Sequence, residues 1–224
     1  MKITILTLFP QMFQGPFDIS IIKRAKEKKL VDIEYVDIRD FGIGKHRLVD
    51  DTPYGGGKGM VLRVDVLHKA IEKAIDKKLK KDAQKIVLLG AHGKTYNQKR
   101  AESFSKLKHL IIICGHYEGF DERIKNFVDE EISIGDFILT GGEIPAMLIT
   151  DSIVRLIKGV LSDGSADFES FSPYLEYPQY TKPQKYEDKS VPEILLSGNH
   201  KDIETWRKNE SLKVTSKLRP DLIK

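Results

Sequence analysis

Two glycine-rich turns are the segments of this sequence that most clearly indicate a chemical function. One is Thr140-Gly141-Gly142, which follows a β-branched run and precedes Glu143 at the start of an apolar segment with helical period. The other spans residues 115–119, Gly-His-Tyr-Glu-Gly. Because glycine has no side chain, backbone amides in such turns can approach a ligand closely. Two of them at neighbouring strand ends predict a small-molecule pocket, with ordinary glycine turns as the alternative.

Other segments lack residues that a phosphate-binding, dinucleotide-binding or metal-binding motif requires. Residues 54–60, YGGGKGM, lack the spacing and the Ser/Thr of a P-loop. The segment Gly42-Ile43-Gly44 lacks the third glycine of a dinucleotide fingerprint, because Arg47 stands there. These departures disfavour a nucleotide triphosphatase and a Rossmann dehydrogenase. Cys114 and His116 are too few to indicate a metal site, so we predict none.

Basic residues in two segments could contact a polyanion. Residues 39–63 are predicted to form a long loop without regular structure, in which glycines alternate with cations. Near the end of the chain, Trp206 and Arg207 stand together in a segment richer in Lys and Arg than in Asp and Glu. The alternatives are a solvated loop in the first case and a core tryptophan in the second.

Neither Arg155 nor Glu169 indicates catalysis by itself. Arg155 lies four residues after Asp151 on a predicted helix, where an ordinary ion pair would account for it. Glu169 lies in a polar segment in which a carboxylate is normally only solvated.

Composition limits the class of protein. The 224 residues include 37 Lys and Arg against 33 Asp and Glu, so the net charge of +4 permits nucleic-acid binding without requiring it. The single cysteine excludes an intrachain disulfide. No apolar run reaches transmembrane length, and the first residues resemble a buried strand more than a signal peptide. We therefore expect a cytoplasmic protein.

Strand-length apolar runs alternate with helix-period segments over the first 160 residues. This alternation predicts an α/β fold with a mainly parallel sheet, in which ligands bind at the carboxyl ends of strands. The predicted strands are 2–9, 32–38, 85–89, 109–114 and 131–139. The predicted helices are 19–29, 64–77, 98–107, 120–128 and 143–158.

The character of the sequence changes after residue 160. Residues 161–189 are polar and interleave prolines with tyrosines, which predicts an interdomain linker. A helix is expected from Ser190, ending at Gly198, and a second from Asn199 to about Lys217. The predicted organisation is an α/β domain over 1–160, a linker over 161–189 and a small helical domain over 190–224.

Several blocks of the sequence, taken in order, resemble the bacterial tRNA (guanine-37-N1)-methyltransferase family. The blocks are TLFPQMF, IRDFGIGKHRLVDDTPYGGGKGMVLR, GHYEGFDERI, SIGDFILTGGEIPAM, VRLIKGVL, YPQYTKP, VPEILLSGNHKDIETWR and LRPDL. The resemblance implies methylation of N1 of guanosine 37 in tRNA from S-adenosyl-L-methionine. It also implies a SPOUT-type fold with a C-terminal trefoil knot, a homodimer, and no membrane or DNA partner.

The resemblance also implies roles for individual residues. The cofactor-binding positions are Leu88, Leu89, Gly90, Gly93, Gly115, Tyr117, Glu118, Ile134, Gly135, Phe137, Leu139, Gly141 and Gly142. The RNA-binding positions are His46, Arg47, Asp50, Gly57, Lys58, Ser197, His200 and Arg207. Arg155 matches the family's catalytic arginine, and Glu169 stands where the family has its aspartate base, with Asp167 in reserve. Mg2+ is a family expectation without an evident ligand set.

Two other functions remain alternatives at this point. The chain could be a SPOUT methyltransferase that acts on a different RNA position, which would not need a carboxylate base at N1. It could also be a non-catalytic RNA-binding relative, for which the glutamate at position 169 is the sequence support.

Overall fold

The computed structural model describes residues 1–162, 164–165 and 169–223. The chain divides into two compact units, Met1–Leu161 and Ser162–Lys224.

The first unit is an α/β structure built on a parallel sheet. Its strands are β1 (Lys2–Thr7), β2 (Asp32–Asp37), β3 (Asp50–Asp51), β4 (Val61–Leu62), β5 (Gln84–Thr95), β6 (His109–Ile113) and β7 (Glu130–Ser133). Its α-helices are α1 (Ser20–Glu27), α2 (Val64–Ala74), α3 (Gln98–Ser105) and α4 (Glu143–Val154). Short 3-10 helices cover Pro10–Phe13, Ile38–Phe41, Lys81–Ala83 and Glu122–Phe127. The five main strands are parallel in the order β2-β1-β6-β5-β7.

The two faces of the sheet have separate apolar cores. In β6, Leu110 and Ile112 belong to the core shared with α1, α3 and α4, whereas Ile111 and Ile113 belong to the core shared with α2. Successive strand side chains point to opposite faces, and helices cover both of them. The predicted α/β class with a mainly parallel sheet is therefore confirmed.

Several predicted elements of the first unit differ from the structure, among them the strand predicted over 85–89, which extends from Gln84 to Thr95. The strand predicted over 131–139 ends at Ser133, because Gly135 adopts a φ of +144° and the chain turns there. The helix predicted over 120–128 is a six-residue 3-10 helix, Glu122–Phe127, in which the Asp121 side chain accepts from Arg123 N–H. Residues 39–63 are not structureless, since they contain the antiparallel pair β3 and β4.

The second unit combines a hairpin with one long helix. Its elements are β8 (Lys185–Tyr186), β9 (Lys189–Ser190), α5 (His200–Leu218) and 3-10 helices over Glu193–Leu196 and Pro220–Leu222. The helix expected from Ser190 is therefore only the 3-10 turn after β9. The helix expected from Asn199 is α5, and the Asn199 side chain accepts a hydrogen bond from Asp202 N–H. Among the described residues, no helix has both the length and the apolar character needed to cross a membrane.

Candidate active site

A cavity of about 300 Å3 lies at the carboxyl ends of β5, β6 and β7 in the first unit. Its walls are the irregular part of β5, where the pairing with β7 shifts register between Leu89 and Lys94, and the loops that follow β6 and β7. In parallel sheets this edge is where ligands bind. The sequence placed the two glycine turns at this edge, and the structure brings both of them into one cavity.

Most of the predicted cofactor-binding positions line this cavity. They are Leu88, Leu89, Gly90, Gly115, Tyr117, Glu118, Ile134, Gly135, Phe137, Leu139, Gly141 and Gly142. Gly93 is outside the lining, and a Cβ atom built there would collide with the backbone of Glu131 and Ile132 in β7. That collision shows that Gly93 allows two chain segments to pack closely, and its role toward a cofactor stays a prediction.

The two glycine turns contact each other through their backbones. Gly142 N–H donates to the Gly115 carbonyl at 2.8 Å. A Cβ atom on Gly142 would lie 2.6 Å from both the Cα atom of Cys114 and the nitrogen of Gly115. Gly142 has φ −83° and ψ −3°, which any residue can adopt. Close approach, and not backbone conformation, is therefore the reason for glycine at this position.

We expect Gly142→Ala to separate the two turns. Overpacking against backbone atoms typically costs about 1–3 kcal/mol of stability, and the displaced loops should weaken cofactor binding by about 10-fold to 100-fold. Thermal unfolding and calorimetric titration with S-adenosylmethionine measure the two effects. Gly44→Ala is the control for binding: a Cβ atom there meets nothing within 4 Å, and since Gly44 has a φ of +69° this variant should lose stability but keep wild-type cofactor affinity. Wild-type affinity in Gly142→Ala would contradict this account of the cavity.

A buried carboxylate directly after the Gly141-Gly142 turn is hydrogen-bonded to the end of β1. Glu143, the first residue of α4, is 2% exposed and accepts a hydrogen bond from the Thr7 hydroxyl at 2.7 Å. The Thr7 hydroxyl in turn accepts from Phe9 N–H at 2.9 Å. An acid in the first turn of a helix is also favoured by the helix dipole. Sequence reasoning missed this pair because its members are 136 positions apart.

Cys114 is part of the structure beneath the cavity and not a reactive group. Burial raises the pKa of its thiol, and the negative charge of Glu143 raises it further. The thiolate is the nucleophilic and metal-binding form of cysteine. Cys114 therefore stays protonated at neutral pH.

The loop that carries Tyr117 and Glu118 is fixed to the glycine-rich segment before β4. Glu118 N–H donates to the Met60 carbonyl at 3.0 Å, and Leu62 N–H donates to the Gly119 carbonyl at 2.9 Å. Tyr117 itself has a φ of +58°, a conformation that costs free energy in a bulky residue and persists only where its surroundings hold it. The YGGGKGM segment thus supports one wall of the cavity.

The rim of the cavity carries charged groups that the sequence did not single out. Glu131 lies 3.3 Å from the Lys125 ammonium group and 3.9 Å from the His92 ring nitrogen. Glu131, His92 and Lys125 all line the cavity, together with Glu118. The rim is therefore suited to a ligand with cationic and hydroxyl groups. A purely apolar ligand would remove these charged groups from solvent without offering them a polar contact.

Comparison with known proteins identifies the family. Residues 1–224 match the family described as tRNA (Guanine-1)-methyltransferase TrmD. The chain belongs to this family. A protein of Dictyoglomus turgidum named tRNA (guanine-N(1)-)-methyltransferase is 54% identical over 225 residues, covering 100% of this chain and 90% of that protein. Proteins of the same name from Carboxydothermus hydrogenoformans and Bacillus pumilus are 53% and 52% identical, again over 100% of this chain and 88% and 92% of their own lengths.

Membership of the TrmD family makes the first unit a SPOUT-class α/β structure. The family's implied catalytic positions belong to different units. Arg155 terminates α4 in the first unit, and its N–H donates to the Asp151 carbonyl at 3.2 Å. Glu169 belongs to the second unit, where it is half-buried, and its carbonyl accepts from Ser172 N–H at 3.2 Å. Asp167, the reserve candidate, is outside the described residues.

The RNA-binding positions implied for a TrmD protein are mostly exposed side chains. His46, Arg47, Gly57 and Lys58 are exposed in the first unit, Asp50 is half-buried in β3, and Ser197, His200 and Arg207 are exposed in the second. In the second unit, a cavity of about 440 Å3 is lined by Arg207 together with Tyr177 and Tyr180. The Arg207 guanidinium lies 5.0 Å from the centre of the Tyr177 ring. This pairing of aromatic rings with a cation is typical of surfaces that bind RNA.

Magnesium has no evident site among the described residues. No group of three or more His, Cys, Asp or Glu side chains in that part of the chain is placed to hold a metal ion. Mg2+ prefers several oxygen ligands in near-octahedral geometry. Mg2+ therefore has no assigned role in the proposed mechanism.

Proposed function

We propose that this protein transfers a methyl group from S-adenosyl-L-methionine to N1 of guanosine 37 in tRNA. The observation that carries the proposal is the glycine-walled cavity at the carboxyl edge of the sheet, found in a chain that matches the TrmD family over all its residues. Since the proposed substrate is tRNA, we also propose a cytoplasmic location.

The cavity suits S-adenosylmethionine in shape and in charge. Its glycine turns allow backbone amides to face the adenine edge, and Phe137, Ile138 and Leu139 add apolar surface that suits the ring. The carboxylates of Glu118 and Glu131 suit the ribose hydroxyls and the cationic groups of the methionyl part. When bound, this cofactor supplies a methyl carbon made electrophilic by its bond to a sulfonium.

Glu169 is the proposed general base. Guanine N1 carries a proton, so its lone pair is not available for attack until a base removes that proton. The Glu169 carboxylate would accept the proton as N1 bonds to the methyl carbon. The side chain is one methylene longer than the family's aspartate, and this is the reason that Asp167 is kept as the second candidate.

Arg155 is the proposed stabiliser of charge on guanine O6. As N1 loses its proton, negative charge develops toward O6, where a fixed guanidinium stabilises it. The rigid C-terminal end of α4 gives Arg155 a fixed backbone position from which to do so.

We propose that the active protein is a knotted homodimer in which one subunit's Glu169 serves the other subunit's cavity. Two exposed apolar residues of α4, Ile144 and Leu148, support self-association. The opposite side of α4 is buried in the core through Ile149 and Ile153. A helix that is apolar all round is normally covered on all sides. The neighbouring Pro10–Phe13 helix adds the exposed side chain of Met12 to the same part of the first unit.

The second unit is the proposed site for gripping the anticodon arm of tRNA. Because such binding releases counterions from phosphates, its affinity should fall steeply with salt.

We expect Arg207→Gln to weaken tRNA binding and to reduce the slope of log affinity against log salt by about one unit. Fluorescence titration at several salt concentrations measures both quantities. Lys208→Gln is the control, since it makes the same charge change at a residue that pairs with Glu204 on the same helix. An unchanged slope in Arg207→Gln would remove this residue from the RNA interface.

The proposed function is tested by incubating the protein with unmodified tRNA and S-adenosylmethionine. Mass spectrometry of nuclease fragments should then find one added methyl group at N1 of guanosine 37. Methylation at another nucleotide would assign the protein to a different SPOUT activity. Tight tRNA binding without methyl transfer would make it a non-catalytic RNA-binding protein.

A further inference from the structure

The loop that carries Glu169 is fastened to α5 through both backbone groups of one residue, Leu175. The hydroxyl of Thr215, which is fully buried, accepts from Leu175 N–H at 2.9 Å. The hydroxyl of Ser211, one helical turn earlier, donates to the Leu175 carbonyl at 2.6 Å. The chain at Leu175 is therefore held in position and direction by a pair of side chains from a single helix.

Hydrogen bonds within the loop connect this attachment to Glu169. They run from Glu176 N–H to the Ser170 hydroxyl at 3.0 Å, from Phe171 N–H to the Tyr174 carbonyl at 2.7 Å, and from Ser172 N–H to the Glu169 carbonyl at 3.2 Å. Because the loop is closed on itself by these bonds, a displacement at Leu175 is transmitted to the backbone of Glu169.

The end of α5 also holds a strained residue of the same loop. Phe171 has a φ of +75°, a conformation that costs free energy in a residue with a large side chain. The guanidinium of Arg219, just after α5, lies 5.7 Å from the centre of the Phe171 ring. Arg219 is itself oriented by two hydrogen bonds to Asp221, at 2.9 and 2.7 Å. Phe171 is therefore in contact with the end of α5 through its ring, while its N–H is bonded within the loop to the Tyr174 carbonyl.

We infer that Thr215, assisted by Ser211, is a positioning residue that holds Glu169 where it can accept the proton of guanine N1. The inference rests on the proposed role of Glu169 as the general base. The helix that carries Thr215 also carries His200 and Arg207, the proposed tRNA contacts. The single helix α5 thus connects the proposed tRNA-binding residues to the residue that positions the general base. Sequence reasoning missed Thr215 because a threonine inside a polar helix has no local signal.

The test replaces the Thr215 hydroxyl and measures transfer and binding separately. Thr215→Val keeps the volume of the side chain but neither accepts from Leu175 nor donates to Ser211. We expect its single-turnover rate of methyl transfer to fall by about 10-fold to 100-fold, the effect of displacing a reacting group by about 1 Å. Affinities for S-adenosylmethionine and tRNA should stay within about twofold, and Thr215→Ser should restore the rate.

Two further variants serve as controls. Thr205→Val changes the same side chain on the same helix, but the Thr205 hydroxyl bonds the Lys201 carbonyl of its own helix, at 2.9 Å. Its rate should equal that of the wild type. If Thr215→Val does not fold, Ser211→Ala removes the other attachment of Leu175 and should lower the rate in the same way.

A double-mutant cycle with Glu169→Gln decides whether Thr215 acts through the base. If it does, the double variant should be no slower than Glu169→Gln alone. Two results would overturn the role of Thr215 but leave Glu169 as the base. One is a double variant whose rate loss is the product of the two single losses, and the other is a wild-type rate for Thr215→Val beside an impaired Glu169→Gln. A near-wild-type rate for Glu169→Gln would instead overturn the assigned base, and the inference with it.

Discussion

Glu169→Gln should lower the single-turnover rate of methyl transfer by about 10²-fold to 10⁴-fold, the usual contribution of a general base. Glutamine has nearly the same shape as glutamate but does not accept a proton from guanine N1. Binding of S-adenosylmethionine, measured by calorimetry, should be normal because Glu169 is not part of the cavity wall in the first unit. The rate of the variant should rise with pH, since a higher pH supplies more of the deprotonated nucleobase.

The control for this variant is Glu187→Gln. Glu187 is an exposed carboxylate in the turn between β8 and β9 of the same unit, so the charge change is equal and falls outside the loop that carries Glu169. A near-normal rate in Glu169→Gln together with a large loss in Asp167→Asn would move the role of base to Asp167. Near-normal rates in both variants would remove the carboxylate mechanism altogether.

Mixing two impaired variants, at a cofactor concentration too low to fill the Gly142→Ala cavity, tests whether the base acts across the dimer. Glu169→Gln keeps an intact cavity, and Gly142→Ala keeps an intact base. A hybrid dimer contains one subunit of each variant. If the base comes from the partner subunit, the unchanged cavity of the Glu169→Gln subunit receives the unchanged Glu169 of the Gly142→Ala subunit, and one of the two sites is complete. If the base comes from the same subunit, neither site is complete. In the first case, coexpression should restore up to about a quarter of wild-type activity. No recovery in a mixture shown to contain hybrid dimers would place both groups in the same subunit.

Arg155→Met should lower the rate of transfer by about 10²-fold to 10³-fold, as the removal of one oxyanion-stabilising donor does in other enzymes. The methionine fills similar space but has no charge to stabilise guanine O6. Affinity for S-adenosylmethionine should change little, because Arg155 lies outside the cavity lining. The measurement is again single-turnover transfer at saturating cofactor and tRNA.

Two other substitutions make the Arg155 result interpretable. Arg155→Lys keeps the positive charge but loses the planar fork of donors, so it should recover only part of the rate. Lys158→Met removes an exposed cation three residues further along the chain and should have a near-wild-type rate. If Lys158→Met is as slow as Arg155→Met, the effect is general electrostatics for RNA binding and not stabilisation of O6.

Local sequence patterns predicted much of the first unit and of the candidate site. The alternation of strand runs with helical stripes gave the parallel α/β class, because side-chain periodicity is a local property that survives folding. The glycine turns at Gly115 and Gly142 were identified for the same reason. The assignment of the chain to its family came from ordered blocks of sequence, whereas the roles of Glu169 and Arg155 are still proposals.

Long-range placement was not predictable from the same patterns. The buried pair of Thr7 and Glu143 joins residues at opposite ends of the first unit, and Thr215 holds Leu175 from 40 positions away. The end of β7 at Ser133 was also missed, since apolar residues continue to Leu139. Those later residues line the cavity instead of extending the strand.

The sequence by itself determined the α-helices, the approximate positions of the five main strands and where glycine permits close backbone approach. Only the tertiary structure decided that β5, β6 and β7 are neighbours, that Gly142 lies against Cys114 and Gly115, and that α5 supports the Glu169 loop. The physical reason is that periodicity and turn chemistry depend on adjacent residues. Strand order and side-chain attachment depend instead on contacts between distant residues, which form only when the whole chain packs.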